Sequence, residues 1–497
     1  MRGARVFLAI LAALAGSRLE GQEPAQRSPR TLVISLEDAL DIASGESEGV
    51  WVAEAGVMRA MGNERIARSQ RFPQVSATAQ YTRTLRSQFS DIRFGGDQGG
   101  DDAIEDLPFG RENQYTLALQ LNQLLFDGGQ IRARNRAAEA RRRSADIDVA
   151  SARAQTLLDV TEAYFDALLA DRLIEIAQST LGQAEEVLRQ TEVARRVGDR
   201  SEYELLRARV ARDNQLPALI RRRTQSSEAY LRLKQLLNVP PEDRLVLTSE
   251  VDEPQTRFVT AANPSPDQRA PVRQAEENVR ASREQLAEAR GQRLPEVSLS
   301  SRYAPVAYPQ GGVPDPGDFR EDWTVTLNLS IPILTWGRLR GTEMVAEGNL
   351  SEAQARLKQA REAALLDTQQ ARNDLADAEA TLAANTSTSE EAGRAYSIAQ
   401  IRFREGIASQ IELSDAQLLQ EQAEVNRALA LRDVQVARAR LALLQDLPLG
   451  QGGLGVPSSL QVQPVQPFQQ QQQQAPQQPV AASGTFPGGG TGGGPFQ

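Results

Sequence analysis

The chain has 497 residues, a formal net charge of −9, and neither a cysteine nor a histidine. Without Cys there is no disulfide framework, thiolate nucleophile or iron–sulfur site; without His there is no Ser-His-Asp triad and no HExxH metal site. Lysine occurs only at Lys234 and Lys358, neither after the glycine a P-loop requires, and the acidic balance lacks the basic footprint of a nucleic-acid binder.

Arg2 and Arg5 flank a ten-residue apolar run, Val6 to Ala15, ending in the small-residue pattern Ala13-Leu14-Ala15. This reads as a signal peptide over 1–15, cleaved near Ala15, followed by an N-terminal extension over 16–36. No Cys follows it to take a lipid, and no later segment approaches the 18 apolar residues of a membrane-spanning helix.

Residues 37–239 and 265–447 carry one plan twice, joined by a linker over 240–264. Each half opens with a helical stretch ending at a proline step, Arg71-Phe72-Pro73 and Arg293-Leu294-Pro295. Each continues with two alternating runs separated by a Gly/Pro/Asp-rich loop. Tyr115, Leu117, Leu119 and Leu121 alternate with polar residues, as do Trp323, Val325, Leu327, Leu329 and Ile331. The earlier runs are Val75 to Tyr81 and Val297 to Tyr303. Period two with one polar face fits strands with lipid on one side and water on the other, or a soluble two-layer sheet. The first loop, about 86–112, gathers Asp91, Asp97, Asp101, Asp102, Glu105 and Asp106, which reads as a solvated loop in preference to a calcium site.

A long helix follows each pair of runs. Residues 130–197 hold no proline and one glycine, and about 68 residues at 1.5 Å each make a helix of roughly 100 Å. Gly129 to Gly198 and Gly337 to Gly406 each span 69 residues, so helical length is held while the loop before it varies. The returning helix over 201–239 and the next over about 267–292 add up to nearly the length of the long one, as if stacked end to end. Pro217 is expected to interrupt and kink the first of these.

The turns share G-x-x-S-x-x-E: Gly198, Ser201, Glu204 and Gly406, Ser409, Glu412. A left-handed glycine ends one helix and a capping box starts the next. Asp415 stands outside that scheme, because its counterpart is Arg207, and it shares a helix face with Glu412. Two other motifs carry nothing. Gly45-Glu46-Ser47-Glu48-Gly49 has no histidine to complete a triad, and Gly450 to Gly455 has no strand before it. From 448 onward the chain holds no charge and ends in Pro, Gln and Gly, a composition expected to stay disordered.

This plan resembles the TolC-type outer-membrane efflux proteins over about 37–447. The resemblance implies a mixed α+β membrane protein. A homotrimer, four strands per protomer, would close a 12-stranded β-barrel in outer-membrane lipid, continued by a long periplasmic α-helical barrel. It implies an exit duct for a tripartite efflux or type I secretion system, with a periplasmic adaptor and an inner-membrane transporter as partners. No enzyme activity, cofactor or metal is expected. Val197, Gly198, Asp199 and Ser201 of the first turn, with Gly406, Ile407, Ala408 and Ser409 of the second, would touch the adaptor. Glu412 and Asp415 would ring the closed entrance, where three copies place six carboxylates around one axis and favour cations. The arginine that often latches such entrances falls at Ala408 and the latch aromatic at Phe403, leaving Arg402 or Arg404 as substitutes and a leakier resting state as the expectation. Two other classes compete with this reading. A periplasmic coiled-coil adaptor or scaffold without a pore leaves the four strands unexplained. A secreted carboxylate glycosidase conflicts with the 5% aromatic content and the long helices.

Overall fold

The computed structural model describes residues 30–86, 112–249, 265–309 and 312–450. The signal peptide, the acidic part of the first loop, most of the linker and the Gln/Gly-rich tail lie outside these residues.

In chain order the elements are β1 (Thr31–Ile34), α1 (Leu36–Glu46), α2 (Glu48–Ser69), β2 (Gln74–Arg83), β3 (Asn113–Phe126), α3 (Gln130–Arg196), α4 (Glu202–Leu236) and β4 (Arg244–Leu247). A 3-10 turn at Pro266–Gln268 leads into α5 (Ala270–Gly291), then β5 (Glu296–Tyr303), β6 (Val306–Ala307), β7 (Phe319–Arg320), β8 (Trp323–Ser330), α6 (Arg338–Arg404) and α7 (Gln410–Leu443). The two long helices, α3 and α6, are 67 residues each, and α2 and α5 are 22 residues each. No described helix is long and apolar enough to cross a membrane.

The four long strands form one antiparallel sheet in the order β2-β3-β5-β8, with β6 extending β5 along β3 and β7 paired to β6. Register settles the alternation. Tyr81 opposes Tyr115, Ala77 opposes Leu119, Leu119 opposes Tyr303, and Tyr303 opposes Trp323. The alternating apolar residues named for the four runs therefore fall on one face, and Gln120, Ser300 and Thr326, with Ala118 among them, fall on the other. Aromatic pairs close the loop end of the apolar face, Tyr81 with Tyr115 at 4.7 Å and Tyr303 edge-on to Trp323 at 6.5 Å between ring centroids. That face, with Leu117, Val325, Leu327 and Leu329 exposed, has no partner among the described residues.

The helices begin where the sheet ends. Gly129, at φ 88°, caps α3, and Asp127 accepts the Gly129 N–H at 3.0 Å. Along α3, α5 flanks the sheet end through Arg134–Glu288 (2.8 Å) and Arg143–Glu277 (2.9 Å). Further along, α4 is held by Asp171, which accepts from Tyr230 (2.6 Å) and Ser226 (3.0 Å). The two shorter helices thus share the length of the long one. Pro217 does not interrupt α4, which runs through it. The proline costs one N–H in a helix anchored on both sides of it, and tertiary packing outweighs that loss.

The largest core lies at mid-length of α3. Val160, Tyr164 and Phe165 are fully buried against α1, the end of α4 and the parallel pair β1–β4. The Tyr164 hydroxyl donates to the Ile34 carbonyl (3.2 Å) and accepts from the Ser249 N–H (3.2 Å). A polar counterpart ties the other half. Arg269 is fully buried, donates to Asp367, and reaches the carbonyls of Leu447 (3.3 Å) and Pro448 (3.5 Å).

Candidate functional site: the paired helical tips

Both long helices end in left-handed glycines, Gly198 at φ 89° and Gly406 at φ 75°. A side chain there would meet open space but would be held in a backbone region that L-residues disfavour. In the first turn the capping box is closed. Ser201 Oγ accepts from the Glu204 N–H (3.2 Å), and Glu204 accepts from the Ser201 N–H (2.9 Å). That backbone hydrogen bond is the main reason the Glu204 carboxyl sits below the usual range.

The second turn departs from this symmetry. Ser409 Oγ accepts from the Glu412 N–H (3.2 Å), but the Glu412 carboxylate pairs instead with Arg402 at 2.7 Å. The capping reading thus accounts for Ser409 and only half of Glu412. The pair of free carboxylates expected at the entrance is reduced to one, because a guanidinium neutralises Glu412 within its own hairpin. Asp415 is exposed and meets no cation among the described residues.

The expected tip residues divide sharply. Val197 and Ile407 are exposed and stand at the two apices. Ala408 is buried, packed with Tyr396, Ala399, Phe403 and Leu413, and with Val187 of α3 alongside. It is a core residue of the tip rather than a contact surface. Phe403 lies in the same cluster, so its ring is not a free latch. Burial raises the Tyr396 hydroxyl above its ordinary pKa.

At the tip, Arg200 reaches from the first hairpin to the second. Its guanidinium lies 4.6 Å from the centroid of the Phe403 ring, and its Nη2 donates to the Phe403 carbonyl at 3.3 Å. Nη1 pairs with Glu204 at 2.9 Å, which fixes the side chain in place. Arg200 and Ala408 are equivalent positions, each two residues after a turn glycine. The arginine missing from the second turn therefore stands in the first. Arg402 serves its own hairpin, and Arg404 lines the groove between the tips. That groove, about 580 Å³, is walled by Glu186, Arg189, Asp199, Arg200, Arg404 and Glu405. Higher up, Gln417 donates to the Thr180 carbonyl (3.0 Å) and Arg432 pairs with Asp166 (2.9 Å), so the hairpins are linked along their length. No cluster of metal-ligating side chains occurs among the described residues.

The model of the outer membrane efflux protein family matches residues 40–239 and again 266–445. The chain belongs to that family. It is 24% identical over 417 residues to the pyoverdine export outer membrane protein OpmQ of Pseudomonas putida, covering 82% of this chain and 83% of that one. A crystal structure of a membrane protein from Pseudomonas aeruginosa superposes with a TM-score of 0.71 at 19% identity, covering 82% and 93% of the two chains. The outer membrane protein VceC of Vibrio cholerae superposes at 0.68, also at 19% identity, covering 82% and 96%. This family member is therefore an outer-membrane efflux channel protein and not an enzyme.

Proposed function

We propose that this efflux protein is a homotrimeric exit duct, built from two structural repeats per chain and passive in itself. Three sheets of four strands make a 12-stranded barrel with its apolar face in lipid. The helices continue it into the periplasm for about 100 Å. The observation that carries this reading is the register of the sheet. The large apolar side chains of the four alternating runs fall on one face that no described residue covers, while the other carries mostly Ser, Thr, Asn and Gln, with Ala118, Arg302 and Glu296 among them.

The tips are the periplasmic end. Val197, Gly198, Asp199 and Ser201, with Gly406, Ile407 and Ser409, present the surface an adaptor meets, and the inner-membrane transporter behind that adaptor supplies the energy. Asp415 supplies three carboxylates around the axis, with Glu412 behind it in an ion pair. Arg200 on Phe403 holds the second hairpin inward. The lining is polar, mostly Ser, Thr, Asn and Gln with Arg302 and Glu296, and fits a water-filled duct. Pyoverdine, named for the export protein OpmQ, is one candidate cargo among many.

The test is fractionation with gel analysis, followed by conductance. Heat-modifiable trimers in the outer-membrane fraction, forming cation-selective channels that lose selectivity in Asp415→Asn, support the reading. A soluble periplasmic monomer without conductance refutes it and favours the scaffold.

A further inference from the structure

The two halves of the chain are superimposable in numbering. Helices α2 and α5 differ by 222 positions at both ends, and α3 and α6 by 208. The strand registers obey the same rule: Gln74 opposes Asn122 in one half, and Glu296 opposes Ser330 in the other. Each half has one arm made of a strand and a long helix, and one made of a short helix and a strand.

One seam between such arms is closed inside the chain. Strand β3 pairs with β5, from Leu119 opposite Tyr303 to Phe126 opposite Val297. Beside it the backbone approaches closely. A Cβ on Gly128 would lie 2.6 Å from the Gly291 carbonyl oxygen and 2.7 Å from the Leu294 Cβ. Ion pairs then run down the helices: Arg134–Glu288 (2.8 Å), Arg136–Glu284 (3.7 Å) and Arg143–Glu277 (2.9 Å).

The equivalent arms, β8 with α6 and α2 with β2, are open. Both β2 and β8 are edges of the sheet. Trp336 stands where Gly128 stands in the other half. It is 90% exposed and held at φ 48°, a backbone region unfavourable for a bulky residue. Phe72, 64% exposed, stands where Leu294 does. The ionic positions have changed character as well. Arg134 and Glu288 become Thr342 and Ile66, while Arg136 and Glu284 become Met344 and Gly62. Met344, Ile66 and Met58 are all exposed.

In the trimer these open arms meet a second copy of this chain, and we propose that the seam between copies is apolar where the seam within a copy is ionic. Trp336 covers the partner's Phe72. Met344 seats over the partner's Gly62, between the partner's Met58 and the partner's Ile66. Strand β8 adds to the partner's β2 with Leu327 opposite the partner's Tyr81 and Leu329 opposite the partner's Ala79. The chemistry follows from the cost of association. Arms on one chain meet at high effective concentration, whereas separate copies must offset lost translational and rotational freedom, which apolar burial does and exposed ion pairs do not. The same argument gives Gly62 a reason to sit inside a helix, where glycine is less favourable than alanine. It floors the hole for Met344.

This inference rests on the trimeric reading and specifies which surfaces make the trimer. The chain has no native cysteine, so a double variant Leu329→Cys/Ala79→Cys reports the seam by itself. Within one copy these positions lie on opposite edges of the sheet, roughly 14 Å apart at three strand spacings, too far for a disulfide. Mild oxidation in membranes should convert the band on a reducing-agent-free, boiled gel from monomer to linked dimer and trimer. Leu329→Cys/Thr78→Cys, one residue out of register, should not link. Gly62→Leu, which fills the hole, and Met344→Glu should each lower trimer recovery at least tenfold while leaving the helical circular dichroism signal unchanged. A wild-type trimer that forms without the Leu329/Ala79 link, or that tolerates both helix variants, overturns this seam and leaves the duct reading standing. A wild-type protein recovered only as monomer overturns both.

Discussion

Replacing Arg200 with alanine should open the resting channel. The side chain is 18% exposed and makes two contacts with the other hairpin, the cation–π contact at 4.6 Å and the hydrogen bond to the Phe403 carbonyl at 3.3 Å. The first contributes about 1 kcal/mol at this degree of exposure. The second, long for a hydrogen bond, adds about another 1 kcal/mol. Arg200→Ala therefore weakens each protomer's closed state by about 2 kcal/mol. If three protomers open together, the sum is about 6 kcal/mol, a change on the order of 10⁴ in the closed-to-open ratio. The assay is single-channel recording of the purified trimer in a planar bilayer, with Arg200→Ala showing long open dwell times where wild type is mostly shut. Phe403→Leu, which removes the ring but keeps the carbonyl, should give an intermediate. Glu204→Gln, which loosens the ion pair that holds Arg200 but keeps both contacts to Phe403, should open the channel less than Phe403→Leu. An Arg200→Ala trimer as closed as wild type refutes the assignment of Arg200 as the latch.

Three further outcomes follow from the helical scaffold. Arg269→Ala leaves Asp367 with only Arg440 (3.2 Å) and two carbonyls with no donor, so it should destabilise by about 3 kcal/mol in chemical denaturation. Arg269→Met/Asp367→Leu should recover most of that. Gly128→Ala drives a methyl into the Gly291 carbonyl in addition to the φ penalty. It should therefore cost clearly more than Gly129→Ala, which meets open space at φ 88°, as read from the two unfolding midpoints. The Glu162 carboxyl is raised above 4.5, first by burial and then by Asp159 and Asp166, against the pull of Arg432 and Arg232. The folded state thus holds this proton more tightly than the unfolded chain. Its contribution is present below the ordinary glutamate range and lost as pH rises through the raised value. Glu162→Gln should accordingly be the more stable form at pH 7, with the difference closing as the pH falls below about 4.5. A constant difference across that range contradicts the cause assigned.

Much of this fold was legible because its longest features are local. A 67-residue helix bounded by two glycines needs only the absence of breakers and a cap at each end. The strand runs were legible from period two, and their register then followed from keeping the apolar set on one face. What stayed hidden depends on partners far away in sequence. The parallel pair β1–β4 joins residues over 200 positions apart, and four residues of each carry no pattern long enough to read. Pro217 reads locally as a break, yet packing carries α4 through it. At the tip the motif foretold both caps, but not that Glu412 would turn to Arg402, because a capping box and an ion pair compete for one carboxylate. Arg200 carries a signal of its own in the sequence. Aligning the two turns puts it opposite Ala408, and a small residue in one hairpin beside a long cation in the other is what an aromatic ring sandwiched between them requires.

The most direct measurement of the central claim is capture from the tip in intact cells. Ala408 is the wrong handle, being 3% exposed, whereas Ile407 at 68% and Val197 at 77% are open. Ile407→Cys and Val197→Cys, each the sole thiol of the chain, would be treated with a short bifunctional thiol crosslinker and the products identified by mass spectrometry. An exit duct predicts one dominant product from both positions, a periplasmic protein with a helical hairpin, lost when Ile407→Cys is replaced by a cysteine on the apolar face of β8. Crosslinks only between copies of this chain, or the same products from tip and barrel positions, would contradict the claim that the tips meet an adaptor.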